Sequence, residues 1–190
     1  TEIYTLSLHD ALPIWNGTNL NNLILKSRDY NFPISINLVV CNNKKANGIN
    51  FAKKNSIPYF IIDTKKRNFE NHILNIVKKY KITFICLAGY MKILSKEFLI
   101  KYRKKIINIH PSLLPKFKGL NTFQRILKNK EKKTGCTVHY VNENLDSGTI
   151  ISQKSFDILI NDTESTLRKK TQRLEYSVFP KAIIKIFRYN

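Results

Sequence analysis

Ile82-Thr83-Phe84-Ile85-Cys86-Leu87-Ala88 is apolar on both parities apart from Thr83. A strand with one wet face alternates apolar and polar residues. A run without that alternation is what a parallel strand needs when helices cover both of its faces. Working outward, Phe69, Ile73, Ile76 and Val77 fall on one side of a helix over 69–80. Before it, Pro58 precedes a short strand over 59–62, a helix spans about 46–55, and an apolar strand runs over 34–41. After it, Ser95 caps a short helix to about residue 101, and 106–110 is the next strand. This βαβ rhythm predicts an α/β domain with a doubly wound, mostly parallel sheet.

The rhythm changes beyond residue 120. A helix is expected over 122–129. Strands over 134–141 and 149–156 follow, joined by a polar loop holding Asp146 and Gly148, which favours an antiparallel pair. Asp162 or Thr163 caps a last helix reaching about residue 188, with Pro180 as a candidate kink. The expectation is a single domain whose sheet gains antiparallel strands toward its C-terminus.

Composition bounds the function. The chain has 190 residues, enough for a proper core. No apolar run approaches the roughly 18 residues that span a bilayer, and no cleavable signal peptide is visible. Cys41, Cys86 and Cys136 are far apart and lack the C-x-x-C spacing of zinc or redox sites, which reads as buried thiols in a cytoplasmic setting. The charge is the one extreme: 33 Lys and Arg against 13 Asp and Glu, a net +20. Such a surface attracts phosphates. However, the basic residues are dispersed, no nucleic-acid-binding signature accompanies them, and Lys, Asn and Ile are abundant together. That pattern fits compositional drift and solvated helix faces, so no specific nucleic acid and no membrane partner are expected.

Chemistry concentrates in Asn108-Ile109-His110-Pro111-Ser112-Leu113-Leu114-Pro115. Strand alternation puts Asn108 and His110 on one face, and Pro111 ends the ladder because it has no N–H to donate. A carboxamide and an imidazole therefore sit where a sheet ends, the usual ligand position in open α/β sheets. The imidazole can move protons near neutral pH, and an amide N–H can stabilise an oxyanion. A second cluster, Asn16-Gly17-Thr18-Asn19-Leu20, has a Gly turn opening a helix, which suits an anion or serves as a plain cap made by Asn16 or Thr18. A third, Leu87-Ala88-Gly89-Tyr90-Met91-Lys92-Ile93-Leu94, ends a strand in Gly, where a flat ring can approach the backbone.

The Asn-x-His-Pro-Ser run, then Gly119, then Leu145-Asp146-Ser147-Gly148 with Asp146 36 residues beyond His110, resembles the folate-dependent formyltransferases. Within that superfamily the phosphoribosylglycinamide formyltransferases of purine synthesis are most similar, over about 16–188. The resemblance implies formyl transfer from 10-formyltetrahydrofolate, as co-substrate, to the amine of 5-phosphoribosylglycinamide, by a monomer or homodimer without a metal. It implies Asn108 as oxyanion donor, which also touches the folate, His110 as general acid/base, and Asp146 as the carboxylate that orients the centre. By the same resemblance Gly17, Thr18 and Asn19 hold the substrate phosphate and Glu175 meets its glycinamide end. Lys66, Met91, Lys92, Ile93 and Leu94 line the folate site, with Phe98 and Val141 at its walls and Arg67 able to replace Lys66.

Departures from the pattern are local. Residues 1–15 read as a leader foreign to the fold: 6–14 look like translated sequencing-adaptor read-through, and Trp15 stands where relatives have a glycine. Residues 3–8 can nevertheless imitate the missing first strand. Asn121 and Phe123 stand where relatives often carry histidines. Three rival readings remain. A methionyl-tRNA formyltransferase would suit the charge, but it usually continues differently after Gly119. A formyltetrahydrofolate hydrolase would carry His-Ser where Pro111-Ser112 stands. A basic nucleic-acid-binding module that has lost catalysis is the non-enzyme alternative.

Overall fold

The computed structural model describes residues 2–7, 17–90 and 92–188. Its tertiary contacts form two compact units, Thr1–Ile107 and Asn108–Asn190.

The first unit alternates strand and helix: β1 (Glu2–Ser7), α1 (Thr18–Lys26), β2 (Ser35–Cys41), α2 (Asn47–Lys54), β3 (Tyr59–Ile61), α3 (Phe69–Lys79), β4 (Phe84–Ala88) and α4 (Lys96–Tyr102). A further strand, β5 (Lys105–His110), starts in this unit and ends in the second. β2 lies parallel to β1 (Thr5 opposite Val39) and to β3 (Val40 opposite Phe60), while β4 lies parallel on the other side of β1 (Thr5 opposite Cys86). The chain thus steps β1, β2, β3 in one direction and returns past β1 to lay down β4. With right-handed crossovers, that reversal sends the following helices to the opposite face. Accordingly α1 packs against α2, and α3 against α4. Every residue of β4 is buried, as its unbroken apolar run requires. Leu38, Val39 and Val40 of β2 are fully buried as well. Each such side chain contributes roughly 1.5–3 kcal/mol.

Two helix starts show how the local sequence works. Ser95 caps α4 through its hydroxyl, which accepts from the Phe98 N–H at 3.1 Å, and its own N–H donates to Glu70 at 2.9 Å. The start of α1 differs from the expected Asn16 or Thr18 cap. Gly17 is the N-cap, at φ +67°, with no side-chain cap bond. A Cβ on Gly17 would lie 2.8 Å from the Gly48 nitrogen of α2, so both the dihedral and the close helix approach require glycine. Of the stretch 1–15, Glu2–Ser7 is a strand paired on both sides, while Trp15 and Asn16 lie outside the described residues.

The second unit holds the end of β5, α5 (Thr122–Lys128), β6 (Lys133–Tyr140), β7 (Ile150–Asp157) and α6 (Glu164–Arg188). β6 and β7 pair antiparallel from Lys133 opposite Asp157 to His139 opposite Ile150, with an irregularity after Val138. α6 lies across both strands and buries Leu167, Phe179, Ala182 and Ile183 completely. Leu167 also joins Phe123 and Ile126 of α5 in a cluster flanked by Phe117. Thr163 starts α6 by accepting from the Thr166 N–H at 3.3 Å, beside Asp162, which binds Lys170 at 2.6 Å. Pro180 lies inside the helix and is buried. The architecture is mixed α/β, parallel first and antiparallel toward the C-terminus. Element ends differ from the sequence reading by a residue or two, the ordinary spread of helix and strand termini.

Candidate active site

β5 ends on His110, and all its residues after Lys105 are buried. Asn108 and His110 point to one face, two residues apart. The loop that follows is tied down by one hydroxyl. Thr137 of β6 donates to the Ser112 carbonyl at 2.6 Å and accepts from the Leu114 N–H at 3.1 Å. Gln153 of β7 donates to that same hydroxyl at 2.7 Å and to the Leu114 carbonyl at 2.9 Å. The Leu114–Pro115 peptide is cis.

The β6–β7 connection brings the carboxylate. Asp146 sits at φ +45°, a left-handed turn position that aspartate tolerates better than most residues. Gly148 lets the turn close: a Cβ there would lie 1.7 Å from the Tyr140 carbonyl oxygen. Asp146 Oδ2 lies 3.2 Å from His110 Nδ1 and accepts the Gly119 N–H at 2.8 Å. The side chains of His110 and Asp146 are only 7% and 8% exposed, so this ion pair is screened little by water.

The other ring nitrogen settles the histidine's tautomer. His110 Nε2 lies 2.9 Å from the Phe117 carbonyl, which can only accept, so Nε2 carries a proton. Chemistry is left to Nδ1, which faces Asp146. Burial pushes the His110 pKa down; Asp146 and the Phe117 carbonyl pull it back, while His139 and Arg125 oppose them, and the net position is below the usual histidine value. For Asp146, burial pushes the carboxyl up, yet the hydrogen bond from His139, the charge of His110 and the Gly119 N–H together hold it below the ordinary carboxylate range. The pair can therefore pass one proton between adjacent buried atoms.

His139 completes the cluster, and nothing in the sequence reading singled it out. Its Nδ1 lies 2.8 Å from the Tyr140 carbonyl and so donates there. Its Nε2 is 3.3 Å from Asn108 Nδ2 and 3.5 Å from Asp146 Oδ1. With Nδ1 committed, Nε2 has one role at a time: unprotonated it accepts from the Asn108 amide, and protonated it donates to Asp146 Oδ1. Asn108 Oδ1 is buried without a hydrogen-bond partner among the described residues, so one end of this carboxamide is uncommitted. An unmatched polar atom in a buried site costs about 1–3 kcal/mol and is retained where a ligand can complete it.

Asn108, His110 and Asp146 thus converge within the second unit. Glu175 lies in the same unit. It is fully buried on α6 and close enough to raise the Cys136 thiol's pKa. Strand alternation places Cys136 on the face of β6 opposite Thr137 and His139. In the first unit, Gly17, Thr18 and Asn19 form the start of α1, where the N–H groups of a first turn have no intrahelical partner. Lys66 is exposed in the turn before α3. Lys92 donates to the Thr64 carbonyl at 2.9 Å and lies over the Phe69 ring at 5.3 Å. Ile93 is 54% exposed, whereas Leu94 and Phe98 are buried. Val141 is half-buried beyond the end of β6. Met91 lies outside the described residues.

Beyond His139, sequence reasoning missed Thr137, Gln153 and Phe117. Thr137 and His139 share a parity on β6, a signal that was available. The role of Phe117 runs through a backbone carbonyl, which no side-chain pattern encodes.

The formyl transferase family matches residues 12–183. The trifunctional purine biosynthetic protein adenosine-3 of Gallus gallus is 39% identical over 171 residues, covering 88% of this chain and 17% of that protein. Its Homo sapiens counterpart is 37% identical over the same shares. The chain therefore spans 17% of the length of these curated relatives. Among solved structures, phosphoribosylglycinamide formyltransferase from Bacillus halodurans superposes with a TM-score of 0.90 at 31% identity, covering 98% of this chain and 95% of that one. The enzyme of the same name from Anaplasma phagocytophilum gives 0.88 at 35% identity, over 96% and 84%.

Proposed function

This chain belongs to the formyl transferase family, and from that premise we propose that it transfers the formyl group of 10-formyltetrahydrofolate to the amine of 5-phosphoribosylglycinamide, in purine synthesis. The observation that carries the reading is the 3.2 Å approach of His110 Nδ1 to Asp146 Oδ2 beside the half-committed Asn108 amide.

In this reaction the substrate amine attacks the formyl carbon, and a tetrahedral oxyanion forms. The Asn108 NH2 donates to that oxygen. As the new C–N bond forms and the bond to folate N10 breaks, one proton must travel from the attacking nitrogen to N10. His110 Nδ1 carries it, because Nε2 is locked on the Phe117 carbonyl, and Asp146 stabilises the imidazolium while the proton resides there. A positioned acid/base is worth about 10²–10⁴-fold and an oxyanion donor about 10²–10³-fold.

The assignments outside this cluster form part of the same proposal. Gly17, Thr18 and Asn19 hold the phosphate; the positive end of the helix dipole at the start of α1 supports this. Lys66 and the segment 91–94 hold the folate, and Glu175 serves the glycinamide end. No metal is required. We read 16–190 as one formyltransferase domain, most of it inside the family match over 12–183, and 1–15 as a non-native leader. Three free, buried cysteines support a reducing, cytoplasmic setting. Burial pushes the Cys41 thiol up to about 12, which leaves it inert as a nucleophile. Among the described residues no helix is long and apolar enough to cross a membrane.

The deciding assay supplies 10-formyltetrahydrofolate with either phosphoribosylglycinamide or charged methionyl-tRNA. Formylation of the small amine alone supports the proposal. Formylation of tRNA alone would give the +20 charge a purpose and replace it.

A further inference from the structure

The loop that locks His110 is itself held from outside. Phe117, Gly119 and Asn121 all have left-handed backbones, at φ +57°, +76° and +53°. Two of them are not glycine, and such a chain path persists only when its surroundings impose it. Two loop groups reach the catalytic pair: the Phe117 carbonyl on His110 Nε2 and the Gly119 N–H on Asp146. Between these two anchors lies Lys118, whose carbonyl accepts a hydrogen bond from Nη2 of Arg125 on α5. The guanidinium carbon of Arg125 also lies 5.8 Å from the centre of the Phe117 ring. One half-buried side chain therefore grips the loop by its backbone and by its aromatic ring.

We propose that Arg125 is a positioning residue for formyl transfer: it clamps 117–119 so that the Phe117 carbonyl keeps the proton on His110 Nε2 and leaves Nδ1 free to work with Asp146. The inference rests on the reaction proposed above. The titratable and charged groups around the ring are Asp146 from the β6–β7 loop, His139 from β6 and Arg125 itself. Without the clamp, the neutral ring can place its proton on Nδ1, toward Asp146. The imidazole lone pair then sits on Nε2, against the Phe117 carbonyl and away from Asp146. Arg125 touches no reacting atom; apart from its charge, which disfavours a protonated His110, it acts through the loop.

The test uses the full chain with R125M, R125Q and R125K. Nitrogen NMR reads the His110 tautomer, and kcat and KM are measured across pH. In R125M the Nε2–H tautomer gives way to a mixture, and kcat falls about tenfold while KM for the amine moves less than about twofold. R125K, still able to donate to the Lys118 carbonyl, restores most of both. R125Q retains a shorter donor and lies between; it serves in place of R125M should that variant not fold. A tautomer unchanged in R125M overturns the proposal, even if the His110 pKa rises, because that outcome reports loss of a nearby charge alone. Should the wild-type chain fail to formylate phosphoribosylglycinamide, the reaction assignment falls, and the tautomer measurement still decides the role of Arg125.

Discussion

His139 Nε2 lies 3.5 Å from Asp146 Oδ1, on the opposite carboxylate oxygen from the one that meets His110. Asp146 therefore stands between two imidazoles, and the ring of His139 also holds the Asn108 amide. Replacing His139 by leucine removes that partner and leaves the carboxamide free to rotate. We expect kcat to fall by about 10- to 100-fold, as for loss of an oriented oxyanion donor, with little change in KM. H139Q, which can still meet the amide, should retain more activity. Steady-state kinetics of the two variants check this.

His110→Ala and Asp146→Asn should each remove about 10²–10⁴-fold of the formyl transfer rate. The two losses should not add in the double variant, since the residues act as one proton-handling unit. Asp146→Asn keeps an acceptor for the Gly119 N–H, so its thermal midpoint should stay close to wild type. Additive losses in the double variant would show independent roles.

Stability should fall in acid in two stages. The folded-state His110 pKa is depressed below 6.5, so the unfolded chain binds the proton first. Its contribution is complete above that value and is lost as pH drops through the folded pKa. The Asp146 pKa is depressed below 3.8, so its contribution is present above that value and is lost at still lower pH. Urea unfolding from pH 8 to pH 2 should show a midpoint that declines in both windows, and His110→Ala should remove part of the upper stage.

Gly148→Ala should destabilise the fold without touching a reacting group. Its Cβ would lie 1.7 Å from the Tyr140 carbonyl oxygen, and backbone has to move to accept it. Overpacking of this kind costs about 1–3 kcal/mol or more. Because Asp146 is two residues away in the same turn, kcat should drop along with the thermal midpoint.

Much of this was legible in the sequence, for identifiable reasons. The unbroken apolar run ending at Ala88 identified a strand buried on both faces, and alternation put Asn108 and His110 side by side. The resemblance to the folate-dependent formyltransferases marked Asp146 as a carboxylate that the β6–β7 turn does bring back to the imidazole. What stayed hidden depends on backbone atoms or on tertiary register. Phe117 acts through its carbonyl, and Gly17 caps α1 because another helix approaches it. His139 looked like any polar residue in a strand until β6 was laid beside the end of β5. Of 1–15, Glu2–Ser7 pairs on both sides as the strand that residues 3–8 were expected to be able to imitate.

Thr137 and His139 sit two residues apart on β6: one knots the loop after β5, the other grips Asn108. Strand spacing makes that interval a ruler of about 7 Å. If β6 slipped by one residue during folding, both knots would come undone together, since every side chain would swap faces. A misthreaded molecule would consequently be inert rather than sluggish, and assay activity would count correctly zipped sheets.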